Sequence, residues 1–93
     1  MFQVKLDTSL QSLVRHLPPS LKKAVKESLR GLAKNPTLGK PLQDNLEGLY
    51  SYRIRGFRLI YSLSHASRMI KVIALGPRKN IYQDVETFLV TRH

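Results

Sequence analysis

The chain is 93 residues long and carries 16 Lys and Arg against 6 Asp and Glu, a formal charge of +10. That length fits one domain spanning residues 1–93, because a second core would be too small to support itself. With no cysteine anywhere, disulfide scaffolds, thiolate zinc fingers, Fe–S clusters and cysteine nucleophiles are excluded together.

Apolar residues make up 42% of the chain and fall in periodic patterns, too much core-forming material for a disordered basic tail. The start, MFQVKLDTSL, has no basic segment followed by a long apolar one, and no apolar run approaches the ~18 residues that cross a bilayer. The expectation is a cytoplasmic protein with no membrane partner. So large a positive charge on so small a body calls for a polyanionic partner: nucleic acid, anionic lipid or an acidic protein segment.

In chain order, residues 2–6 alternate apolar and polar as a short strand does, with Asp7 or Thr8 placed to cap the first helix. Leu10, Leu13, Val14 and Leu17 recur at helical spacing until Pro18-Pro19 ends that helix. A second helix begins near Ser20, with Leu21, Val25, Leu29 and Leu32 as its apolar stripe and Lys22, Lys23, Lys26, Arg30 and Lys34 around the rest. The two helices read as a hairpin. Asn35-Pro36 stops the second, and residues 37–46 read as a connecting loop.

From Leu49 the period changes from 3.6 to 2, giving strands over 48–54, 57–63 and 69–75. Arg55-Gly56 serves as a two-residue turn in which the glycine takes the positive φ. That register sets Ile54 against Phe57, Tyr52 against Leu59 and Tyr50 against Tyr61 on one face, and Arg53 against Arg58 on the other. After the last strand, Asn80 and Gln83 resemble a capping box. Ile81, Val85, Phe88 and Leu89 then form the stripe of a C-terminal helix that leaves Tyr82 exposed beside Arg78.

The acids sit at Asp7, Glu27, Asp44, Glu47, Asp84 and Glu86, so residues 48–83 hold no carboxylate. The same window holds Arg53, Arg55, Arg58, Arg68, Lys71, Arg78 and Lys79, with all four tyrosines. Cations interleaved with aromatics suit phosphate binding and base stacking. Two arginines directly opposed across a strand pair cost a few tenths to ~1 kcal/mol of stability. A bound anion turns that repulsion into a clamp, since each guanidinium presents a planar donor fork to phosphate oxygens. His16, His65 and His93 lack the spacing of common zinc motifs, so no metal or small-molecule cofactor is expected. Asp44 and Glu47 read as loop and cap residues.

The run NPTLGKPLQDNLEGLYSYRIRGFRLIYSL, followed by IKVIALGPRKNIY, resembles the RelE/ParE superfamily of bacterial and archaeal toxins, and the likeness covers almost the whole chain. It implies an α+β fold: an antiparallel sheet of about four strands, an N-terminal helical hairpin packed against it, and a short C-terminal helix. RelE-like members enter the ribosomal A site and cut mRNA without metal, a nucleotide's 2′-hydroxyl attacking its own 3′ phosphate. ParE-like members poison DNA gyrase instead and do not cleave RNA.

Carried over by position, the family's basic strand residues fall on Arg53 and Arg55 and its phosphate-stabilising arginine on Arg58. The arginine after the last strand falls on Arg78, and the C-terminal tyrosine on Tyr82. Lys71 and Lys79 supply further RNA-binding charge. RelE itself has lysines where this chain has Arg53 and Arg55, and arginine, protonated to above pH ~12, is a poor base. Proton abstraction is left to Tyr82, Lys79 or a group of the ribosome. The expected partners are an acidic antitoxin protein, the ribosome and mRNA. The leading expectation is therefore an mRNA endonuclease of a type II toxin–antitoxin pair; a gyrase inhibitor and a non-enzymatic nucleic-acid-binding module are the alternatives.

Overall fold

The computed structural model describes residues 1–77; the expected C-terminal helix, with Arg78, Lys79 and Tyr82, lies outside them. Strand β1 (Gln3–Lys5) is followed by helices α1 (Thr8–Arg15) and α2 (Pro19–Lys34), then by β2 (Lys40–Pro41), β3 (Leu49–Ile54), β4 (Phe57–Ser64) and β5 (Met69–Pro77). Asp7 caps α1 by accepting from the Leu10 N–H at 2.9 Å, an arrangement worth about 1 kcal/mol. Pro19 opens α2, where its missing N–H costs nothing. Among the described residues no helix is long and apolar enough to cross a membrane.

The sheet corrects the expectation of about four antiparallel strands: it has five, in the order β1-β5-β4-β3-β2, and is mixed. Strands β2 to β5 run antiparallel to their neighbours, whereas β1 pairs parallel to β5, Lys5 against Lys71. Alternation marks a strand without naming its partner. The α1–α2 hairpin carries the chain across one sheet face, leaving β1 on one edge and β2 on the other. The segment expected to be loop contains β2 and two 3-10 turns, Pro36–Leu38 and Asp44–Leu46. A two-residue strand is too short for alternation to betray it.

Leu10, Val14, Val25 and Leu32 of the helices pack on Ile54, Leu59, Tyr61, Ile70, Val72 and Leu75 of the sheet. On the other face a smaller cluster forms around Leu46 and Ile60, with Leu42, Leu49, Ile73 and Ala74 against it. A bulge separates these sets. Ile60 pairs with Ala74 but Tyr61 pairs with Val72, so Ile73 is an extra residue in β5. The bulge keeps Leu75 in the core and swings Ala74 and Gly76 to the opposite face.

Tyr61 is fully buried at the centre of β4. Its hydroxyl donates to the Pro36 carbonyl at 2.6 Å and accepts from the Gly39 N–H at 3.1 Å, while its ring stacks on Tyr50 at 5.3 Å and 14°. A Cβ on Gly39 would collide with that hydroxyl and lie 2.9 Å from the ring. Burial pushes the phenol pKa up, the Gly39 hydrogen bond lowers it, and Tyr50 and Tyr52 raise it, for a net upward shift.

The stability carried by the neutral hydroxyl is therefore complete below about pH 10, where an unfolded tyrosine ionises, and is lost as pH rises through the raised folded value. Tyr61→Phe strands the Gly39 donor and the Pro36 acceptor and is expected to cost about 1–3 kcal/mol near neutral pH. It should also flatten the decline in stability above pH 10. Urea denaturation of both proteins at pH 7 and pH 10.5 measures each effect.

Candidate nucleic-acid interface on the helix-free sheet face

In β3 and β4 one set of alternating residues points at the helices and the other points away. Tyr50, Tyr52 and Ile54 pair with Tyr61, Leu59 and Phe57 on the helix side. Arg53 pairs with Arg58, and Arg58 in turn pairs with Gly76 of β5. The two guanidinium side chains are thus lateral neighbours on the face that the described helices leave open, flanked on the β5 side by a residue without a side chain.

The environments of the two arginines differ. Arg53 is exposed, and its Nε lies 3.5 Å from the Arg55 carbonyl oxygen, a long contact. Arg58 is half-buried and donates from Nη1 to the Ser51 hydroxyl at 3.2 Å. Ser51 itself is only 3% exposed, so it fixes the guanidinium from below. Sequence reasoning missed this serine; its signal was a small polar residue in a strand position whose neighbours on the same face are Arg53 and Leu49.

Arg55 occupies the β3–β4 turn with φ at 55°. Gly56 does not adopt a left-handed φ, which corrects the expectation that the glycine would absorb the turn. A left-handed backbone costs an L-residue about 1–2 kcal/mol, so the turn holds a strained arginine where glycine would be easier. Lys71 shares the open face but sits in another cross-strand row, opposite Ser62 of β4 and Lys5 of β1. Arg68, at the far turn of the sheet, lies 5.2 Å over the Phe2 ring, with His65 edge-on to the same ring. Of the residues expected to act together, Arg53, Arg55 and Arg58 are gathered at one end of the sheet. Arg78, Lys79 and Tyr82 lie outside the described residues.

These arginines can hold and polarise an anion. A guanidinium is a poor general base, so the arginines suit charge neutralisation rather than proton abstraction. Their arrangement works against the fold in two places, the like-charge pair and the strained turn. Arg53→Gln is accordingly expected to raise unfolding stability by a few tenths to ~1 kcal/mol while weakening anion binding. Arg55→Gly should be at least as stable as the parent, the relief of backbone strain offsetting the glycine's entropy, whereas Arg55→Val should lose about 1 kcal/mol or more. Urea midpoints read all three.

A family model described as the ParE-like toxin of type II bacterial toxin-antitoxin system matches residues 4–86. Toxin RelE of Mycobacterium tuberculosis is 30% identical over 84 residues, covering 88% of this chain and 87% of that protein. Toxin RelG of the same organism is also 30% identical over 84 residues, covering 88% of this chain and 97% of that protein. Among solved structures, the M. tuberculosis toxin-antitoxin complex RelBE2 contains a chain that superposes with a TM-score of 0.73 at 28% identity, covering 83% of this chain and 98% of that one. A chain of the intact Escherichia coli RelBE complex gives 0.73 at 18% identity over 85% of this chain and 99% of that one, a likeness of fold.

Proposed function

Because this chain belongs to the ParE-like toxin family of type II bacterial toxin–antitoxin systems, we propose that its toxicity is that of an mRNA endonuclease acting on translating ribosomes. The observation that carries the reading is the opposed pair Arg53 and Arg58 on the open sheet face, with Arg58 anchored to buried Ser51. An arrangement that concentrates donor forks on one face is suited to a phosphodiester whose charge grows during reaction.

In the proposed step the 2′-oxygen of one nucleotide forms a bond to its own 3′ phosphorus, and the bond from phosphorus to the next nucleotide's 5′ oxygen breaks. The products are a 2′,3′-cyclic phosphate and a free 5′-hydroxyl. Arg58 neutralises the phosphorane, Arg53 and Arg55 add field, and Arg78 protonates or neutralises the departing oxygen. Tyr82 stacks on a base to hold the linkage in line, a contact worth about 1–3 kcal/mol in other single-strand binders. Since the arginines of the hairpin are poor general bases, the 2′ proton passes to Tyr82, Lys79 or a ribosomal group.

The proposed site of action is the cytoplasm, where translating ribosomes are. An acidic antitoxin that covers the cationic face is the proposed partner in the resting cell. The complementary charge of such a partner matches the +10 of this chain.

Purified protein incubated with programmed ribosomes should give cuts inside translated codons that end in 2′,3′-cyclic phosphate. Arg58→Ala, folded by circular dichroism, should lower single-turnover cleavage about 100-fold or more. Growth arrest with intact mRNA and accumulated gyrase–DNA cleavage complexes would replace this reading with the gyrase-inhibitor one.

A further inference from the structure

The parallel pairing of β1 with β5 creates a second like-charge pair that chain order conceals. Lys5 and Lys71 are register partners, both exposed, and Lys71 is opposite Ser62 of β4. Partners in register share a face, so Lys5 and Lys71 stand on the same open face as Arg53 and Arg58. Two ammonium groups side by side on adjacent strands repel, as the arginines do, and nothing in the core requires them.

We propose that Lys5 and Lys71 form an accessory phosphate subsite for the same single-stranded RNA that the arginine pair grips, a few nucleotides along the strand. The proposal rests on the nuclease reading for the identity of the RNA, and on register alone for the placement. Arg58 and Ser62 are four residues apart along β4, which sets the two cationic rows about 14 Å apart. Between the rows Ile60 is fully buried in the cluster it forms with Leu46 and Leu42, and Ile73 and Ala74 are half-buried. Two cationic rows at that separation can each take a phosphate of one strand that crosses the filled cluster between them. Neither lysine is expected to touch the scissile linkage, so the pair governs binding of longer RNA and leaves the chemical step to the arginine end.

The probes are 2′-O-methyl oligoribonucleotides, which cannot be cleaved, three and eight nucleotides long, titrated by fluorescence anisotropy across a salt series. With the parent protein the longer probe should bind about ten-fold more tightly than the shorter, and the double variant K5Q/K71Q should lose most of that gain while binding the three-nucleotide probe as the parent does. The variant's slope of log affinity against log salt for the longer probe should fall by about 1.4, the value for two lost single-strand phosphate contacts. K23Q/K26Q removes the same charge from exposed positions of α2, in the helix layer on the other side of the sheet, and should keep the length-dependent gain.

An unchanged gain and slope in K5Q/K71Q would overturn the subsite, as would an equal loss in K23Q/K26Q, which would reduce the effect to net charge. Absence of cleavage by the parent on programmed ribosomes would count against the nuclease reading alone. The binding series would still decide the lysine pair.

Discussion

The register between β3 and β4 is the constraint on which the molecule depends. Ile54 against Phe57, Tyr52 against Leu59 and Tyr50 against Tyr61 put aromatic and aliphatic side chains against the helices, and the same register puts Arg53 against Arg58 on the other face. Because side chains alternate with a period of two, a slip of β4 by one residue would drive the Arg58 guanidinium into the core and expose Tyr61. The apolar face thus holds the arginines together against their own repulsion.

Three features give this register its precision. The turn is closed by Arg55 in a left-handed conformation, so the residue that tightens the hairpin is itself one of the cations. Tyr61 ties the centre of β4 to the segment after α2 through Pro36 and Gly39, fixing the sheet relative to the chain that leads from the helices into it. The bulge at Ile73 then resets β5 so that Leu75 enters the core and Gly76, with no side chain, comes beside Arg58. Without the extra residue, Leu75 would face the arginines instead of the core.

The electrostatics are one-sided by composition as well as by placement. Residues 48–77 contain no carboxylate, so the open face has no internal counter-ion drawn from its own strands. Lys5 joins that face from the other end of the chain through the parallel pair. The result is a face whose strands carry positive charge from both ends of the chain.

The sequence by itself determined the two helices, four of the five strands, the β3–β4 register and the opposition of Arg53 and Arg58, because each arises from a local period or a turn length that neighbouring residues set. It also located the arginine-rich window and the family likeness. Only the tertiary structure decided the parallel pairing of β1 with β5, the short strand β2, the bulge at Ile73, the buried support of Arg58 by Ser51 and the assignment of the strained φ to Arg55 rather than Gly56. Those depend on which distant segments meet and on how an extra residue is accommodated when they do, and neither is written in the spacing of apolar residues along a single stretch of chain.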